Sequence, residues 1–315
     1  MIDLKEAEKI ELIVLMDNYS DVLLPSSQRL KRFLPIREGK FAAPLFAEHG
    51  FSLLVRLFEN KKAHSLLLDA GWSEDGVVHN LKKLDVDIAE VETIILSHGH
   101  MDHHGALHNI LALKGGPVSI IAHPDAFLKG RFVVLPDGEK VTFPAPDEAL
   151  LRDRGAHIIK NKSPYLIASD LALVSGEIER TTGFEKGLPN AFLEREGNIE
   201  NDHILDDQAL IIHLKQKGLV VISGCAHAGI INTVTHARKI TGVNKVYGVM
   251  GGFHLTGPAF EPIIGETIKE LKAVDPEVIL PMHCTGWKAT VEIAQHLPRQ
   301  FVLSSVGTTL TLGAD

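Results

Sequence analysis

The nine residues Ser97-His98-Gly99-His100-Met101-Asp102-His103-His104-Gly105 constrain this chain more than any others. The apolar run Thr93-Ile-Ile-Leu96 leads straight into them, and a helical pattern begins near Gly105. In extended chain, residues two apart project to the same side, so His98 and His100 can grip one ion together. Asp102 and His103 lie where the chain turns into the helix and can face a second ion. Imidazole nitrogen with a single carboxylate suits zinc, and also manganese or iron. The bland alternative is a solvated polar loop, but the whole His-x-His-x-Asp-His string sits between an apolar strand and a Gly-led helix, which argues for a metal site.

Short β-branched or Leu-rich runs recur at 12–16, 52–58, 65–68, 93–96, 118–122, 171–174, 209–214, 219–222, 245–250, 278–281 and 301–304, and read as strands. Helical periodicity lies between many of them, at about 75–84, 106–113, 230–240, 261–273 and 287–296. Adjacent strands dominate the first third, whereas strand and helix alternate in the last. The pattern predicts an α/β fold, an αββα sandwich of two mixed sheets face to face with helices outside. Residues 1–315 are expected to form a single domain. The stretch from about 130 to 201, with Pro136-Asp-Gly and Pro144-Ala-Pro, reads as an irregular insertion or lid.

Composition narrows the function. Seventeen histidines exceed what packing needs, and several end apolar strands beside glycine. A net charge of −8, with scattered Lys and Arg, offers no broad positive surface, so nucleic acid is a poor expectation. No apolar run approaches the roughly 20 residues of a membrane span. The start Met1-Ile-Asp-Leu-Lys-Glu lacks the basic and apolar regions of a secretory signal, and only Cys225 and Cys284 occur, so a cytoplasmic, disulfide-free protein is expected. Cys225 reads as a small buried thiol.

Leu68-Asp69-Ala70-Gly71 followed by His98-x-His100-x-Asp102-His103 resembles the metallo-β-lactamase superfamily, and later segments match it too. The resemblance implies that Asp69 supports the metal site from behind. It implies a further ligand in Gly224-Cys-Ala-His227-Ala-Gly229, where His227 leaves the apolar run 219–222 between small residues; capping the helix near Ile230 is the plainer role for that histidine. It implies a last ligand, His283, in His283-Cys284-Thr-Gly286. His98, His100 and His227 would then hold one ion, and Asp102, His103 and His283 the other. Cys284 is set aside because neighbours on a strand point to opposite faces. The sequence departs from the family pattern at Val249-Met-Gly-Gly-Phe253-His254, where no bridging Asp stands. His254 is there either a ligand or a donor to substrate.

The fuller set, including Asp17-Asn18, Glu48-His49-Gly50, Asp206-Asp207-Gln208 and Gly251-Gly252-Phe253-His254, is similar to one branch, the metal-dependent hydrolases of β-lactamase superfamily II. Some of these carry the label 7,8-dihydropterin-6-methyl-4-(β-D-ribofuranosyl)aminobenzene 5′-phosphate synthase. The resemblance implies an enzyme in which zinc, one or two ions, activates water against a small ester-like or phosphoester substrate. Asp102 and His254 would be catalytic. The alternative is a pterin-related transferase on the same site, with a pyrophosphate leaving group and an aryl amine or carbon attacking. Asn18, His49, Gln208, Phe184 and Trp287 are the candidates for substrate contact, and Lys129, Arg131, Arg180 and Lys186 for phosphate, although surface charge explains each cation as well. Iron redox chemistry ranks low, because the di-iron relatives show Glu where His100 stands, and a non-catalytic metal-binding role ranks below an enzyme. The substrate and the oligomeric state are not readable from the sequence.

Overall fold

Strands covered on both faces lose the alternation of buried and exposed residues. Gly218–Ser223 is buried at every position, as is Val246–Gly252, and Lys62–Leu68 is buried from Ser65 onward. Such strands need a second sheet on one side and helices on the other. The computed structural model, which describes residues 1–313, builds that arrangement.

One sheet has eight strands in the spatial order Ala156–Lys160, Val118–Ala122, Val91–Ile95, Lys62–Leu68, Ser52–Glu59, Lys9–Met16, Thr309–Gly313 and Leu30–Lys31. The other has seven: Tyr165–Ile167, Ala172–Val174, Ala209–Leu214, Gly218–Ser223, Val246–Gly252 and Val278–Met282 in order, with Glu6–Ala7 against Ala209–Leu214. Both are mixed. Lys62–Leu68 runs parallel to Val91–Ile95, and Gly218–Ser223, Val246–Gly252 and Val278–Met282 run parallel to one another.

Three apolar layers hold the sandwich. Val14, Leu53, Leu66, Ile212, Val220 and Leu280 fill the space between the sheets. Val77, Leu81, Leu107 and Ile110 fasten helices Gly76–Lys83 and Leu107–Lys114 to the first sheet. Val234, Ile268 and Ile293 fasten Ile230–Thr241, Ile264–Val274 and Trp287–His296 to the second. This is the αββα fold, and all five expected helices are present. The strand expected at 301–304 is reduced to a single bridge between Phe301 and Ile279. The last strand is instead Thr309–Gly313, whose Thr-Leu-Thr-Leu alternation lays Leu310 and Leu312 on the inter-sheet layer.

The segment at 130–201 is more ordered than its composition suggests. Ala156–Lys160, Tyr165–Ile167 and Ala172–Val174 belong to the two large sheets. Arg131–Val134, Lys140–Thr142, Ala191–Arg195 and Asn198–Asn201 make a separate four-stranded sheet. Arg131, which sequence offered as a phosphate ligand, is 2% exposed and points inward. Its guanidinium donates to both carboxylate oxygens of buried Asp206 and stands 2.9 Å from Asp202. Asp206 also accepts from the Gly99 amide at 2.8 Å, which anchors the histidine motif to the inserted sheet. Among the described residues no helix is long and apolar enough to cross a membrane.

Breaking a buried ion pair from one side leaves uncompensated charge and costs about 3–5 kcal/mol. Arg131→Ala is therefore expected to destabilise the protein by that amount in urea unfolding; unchanged stability would contradict a structural role for the pair.

Candidate metal centre

The site forms where parallel strands of both sheets end. Asp69 follows Lys62–Leu68, His98 follows Val91–Ile95, His227 follows Gly218–Ser223, His254 follows Val246–Gly252, and His283 follows Val278–Met282. At these ends the backbone bends through the left-handed region at Asp69 (φ 60°), Ala226 (54°), His254 (45°) and His283 (48°). Non-glycine residues sit there at a cost and gather at functional sites. Crowding at the motif is severe: a Cβ on Gly105 would lie 1.6 Å from the Trp72 carbonyl oxygen, so only glycine lets the helix start there.

Two ring systems form the centre. The ligand-capable atoms of His98, His100 and His227 all lie within 4.8 Å of one another, and the Nε2 atoms of His98 and His227 are 3.2 Å apart. Two nitrogens on one tetrahedral zinc stand roughly 3.3 Å apart, given Zn–N bonds of about 2.0–2.1 Å. Across the centre, Asp102 Oδ2 is 3.3 Å from His283 Nε2, 3.7 Å from His49 Nε2 and 3.8 Å from His103 Nε2.

Outer contacts aim these rings. Asp69 is fully buried and accepts from the Ser97 amide (2.7 Å), the Ser97 hydroxyl (2.6 Å) and His103 Nδ1 (2.7 Å). Ser97 Oγ is also 2.9 Å from His98 Nδ1. Both rings are thus held with Nε2 facing inward, as carboxylate or hydroxyl partners do for metal-bound histidine. Asp17 performs the same service at the other end, accepting from the His283 amide at 2.8 Å and from Ser304 Oγ at 2.5 Å.

The residues fit a bound cation. His100 Nε2 and His254 Nδ1 are buried without a hydrogen-bond partner, and buried polar atoms are rarely left so. Burial, reinforced by neighbouring imidazoles, pushes His98 and His227 well below the usual histidine range, and burial brings His100 down to about 3. All three are neutral at pH 7 and keep a lone pair for a metal. Asp102 titrates below the usual carboxylate range: burial works against its charge, but His103 and His283 outweigh it. Burial likewise opposes a charged His103, yet Asp102 and Asp69 raise it to about 9. Without metal it is an imidazolium between two carboxylates.

The candidate substrate contacts divide. His254 and Phe184 line a cavity of about 470 Å³ that also holds His227, Lys186, Phe253 and Phe260. Asn18 and Trp287 line a second, of about 240 Å³, beside His283. His49 is half-exposed above Asp102 and is 3.1 Å from Asn18 through Nδ1. Gln208 lines neither: it is buried and donates to the Leu96 carbonyl at 2.9 Å, bracing the strand ahead of the motif. Arg180 donates to the backbone carbonyls of His203 and His227.

Sequence reasoning quoted Asp207 and Asp17 within motifs but gave neither a role. Asp207 is buried and raised to about 7 by that burial, and accepts from the Ala228 amide at 2.8 Å, fixing the His227 turn. Cys225 is the small buried thiol that was expected, and its Sγ is 3.1 Å from His103 Nε2 and 3.3 Å from Cys284 Sγ. The alternation argument fails for Cys284 because 283–285 is a 3-10 turn, not extended strand. Only the Gly-Cys-Ala-His and His-Cys-Thr-Gly settings, beside His227 and His283, hinted at it.

The family is shown by comparison with known proteins. Residues 46–182 match the model of the metallo-beta-lactamase superfamily. The chain belongs to that superfamily. It is 34% identical over 254 residues, 79% of this chain and 85% of the relative, to the 7,8-dihydropterin-6-methyl-4-(beta-D-ribofuranosyl)-aminobenzene-5′-phosphate synthase of Methanocaldococcus jannaschii. An uncharacterized protein of the same organism is 34% identical over 266 residues, 83% of this chain and 93% of the relative. Among solved structures, Tm1679, described as a metal-dependent hydrolase of the beta-lactamase superfamily, superposes with a TM-score of 0.72 over 97% of this chain and 99% of its own, at 23% identity.

A metal entering beside His103 must displace its proton while pH is below about 9. Zinc affinity is therefore expected to rise with pH and level off above about 9, with proton release at pH 7 measurable by calorimetry in buffers of different ionisation enthalpy. Affinity independent of pH from 6 to 9, a window set by the raised His103 value, would contradict the assignment.

Proposed function

We propose that this protein is a metal-dependent hydrolase acting on a small phosphorylated or ester-like substrate with a planar aromatic part. One observation carries the reading: His227 and His254 line a cavity of about 470 Å³ walled by Phe184, Phe253 and Phe260 and holding Lys186. Ligand pockets combine apolar walls with a few convergent polar groups in this way.

His98, His100 and His227 would hold one ion, and Asp102, His103 and His283 a second. Zinc suits that donor set, while manganese and iron are the rivals. Bound there, a divalent ion polarises a substrate oxygen and lowers the pKa of coordinated water. The chain does the rest. The phenylalanines would hold the aromatic part and exclude water, the Lys186 ammonium would pair with a phosphate, and the His254 imidazole at the cavity wall would hold or deliver a proton at the leaving oxygen. Asp102 keeps negative charge beside the centre at any physiological pH.

A second reading is the transferase. The 34% identity to the pterin-linked synthase favours it, and an aromatic cavity accommodates a pterin as readily as any planar ring. The two separate cleanly in one assay. Metal-loaded protein is given a pterin pyrophosphate with and without a ribofuranosylaminobenzene 5′-phosphate. Pyrophosphate release only with both present supports transfer; release with water alone supports hydrolysis.

For the hydrolase, a panel of phosphodiester, phosphomonoester and lactone substrates is expected to yield turnover that falls more than about 100-fold in His100→Ala, since losing an inner ligand exceeds the 10- to 100-fold typical of outer partners. Lys186→Ala is expected to raise KM about tenfold or more for phosphorylated substrates only, since a charge-assisted hydrogen bond is worth about 1.5–3 kcal/mol. Turnover insensitive to His100 would sink the proposal.

A further inference from the structure

Cys225 occupies the middle of the centre. Five groups of ligand-capable residues are present among the described residues, and Cys225 belongs to three of them: with His98 and His103, with His227 and His254, and with His283 and Cys284. No other side chain is shared so widely. Its Sγ is 3.1 Å from His103 Nε2, close to the roughly 3.5 Å that separates sulfur and nitrogen on one tetrahedral zinc with Zn–S about 2.3 Å and Zn–N about 2.0–2.1 Å.

Charge balance points the same way. Two divalent ions bring four positive charges into a buried site, and buried charge must be compensated locally. The histidines are neutral as ligands. Among the five groups the only carboxylate is Asp102, and it sits on the His49–His283 side. Asp69 adds its charge only from behind His103, so the groups that can bring a further anion to the ions themselves are the thiols, and a coordinating thiol is deprotonated outright. The backbone makes room for the pair at Gly252, where a Cβ would come within 2.7 Å of Cys284 Sγ and 3.3 Å of Cys225 Cα. Both cysteines are free and buried.

We propose that the Cys225 thiolate is an inner ligand shared between the two ion positions, with Cys284 behind it as its sulfur neighbour, making the centre selective for zinc, cobalt(II) or iron(II) over magnesium and calcium. Soft sulfur ligands favour the former ions, whereas magnesium and calcium take oxygen. The proposal rests on the metal reading above. The rival account is a thiol that only hydrogen-bonds to His103.

Cobalt(II) separates these. Metal-stripped wild type, Cys225→Ser and Cys284→Ser are loaded with cobalt and scanned. Visible d–d bands report a bound ion, and a near-ultraviolet sulfur-to-cobalt band reports thiolate ligation. Wild type is expected to show both, Cys225→Ser to keep the visible bands and lose the near-ultraviolet one, and Cys284→Ser to retain it. Zinc affinity of Cys225→Ser is expected to fall more than about 100-fold, beyond the 10- to 100-fold typical of outer partners. X-ray absorption of zinc-loaded wild type, which needs no variant to fold, is expected to show sulfur at about 2.3 Å. Visible bands without the near-ultraviolet band in wild type, a band lost only in Cys284→Ser, or a zinc shell of nitrogen and oxygen alone would overturn the thiolate while leaving the metal site standing. Neither band, with no cobalt retained, would overturn both.

Discussion

The site depends on one buried carboxylate. Asp69, fully enclosed, gathers three hydrogen bonds from Ser97 and His103 and so ties the end of Lys62–Leu68 to the end of Val91–Ile95. A carboxylate without water requires such partners, and each partner is thereby oriented. Ser97 passes the constraint to His98, and His103 turns Nε2 toward the middle. The second sheet answers from its own strand ends, where Asp207 fixes the turn at His227 and Asp17 the turn at His283. The αββα sandwich matters to function because it brings two sets of parallel strand ends to a single crevice, as α/β sheets do at the carboxyl ends of their strands.

That crevice lies between two cavities of different character. The larger is aromatic and holds Lys186, while the smaller joins Asn18 and Trp287 to His283. An electrophilic ion between them would act on whatever bond the cavities place across it. The same geometry would serve water or an aryl nucleophile, so the hydrolase and transferase readings call on one site and differ in what the cavities admit.

Much of this was legible in the sequence because it is local. A strand running into His-x-His-x-Asp-His fixes the positions of four side chains over six residues, and the helical periods fix five helices. His227 and His283 were legible only through resemblance, since their approach to the motif depends on sheet order. Other features are three-dimensional and left no sequence signal. Arg131 reads as an exposed cation until Asp202 and Asp206 are seen closing on it. Gln208 reads as a polar contact until its amide is found on the Leu96 carbonyl. Cys225 is the small buried thiol that was expected, but its nearness to Cys284 left no sequence signal: alternation governs extended chain, whereas 283–285 is a 3-10 turn whose Cys284 Sγ lies 3.3 Å from Cys225 Sγ.

The most direct measurement is anomalous diffraction at the zinc edge from crystals of protein supplied with zinc. The account predicts a peak about 2.0–2.1 Å from nitrogens of His98, His100 and His227, with a second near Asp102 and His283. Well-diffracting crystals grown with excess zinc that show no anomalous density among these residues would contradict it.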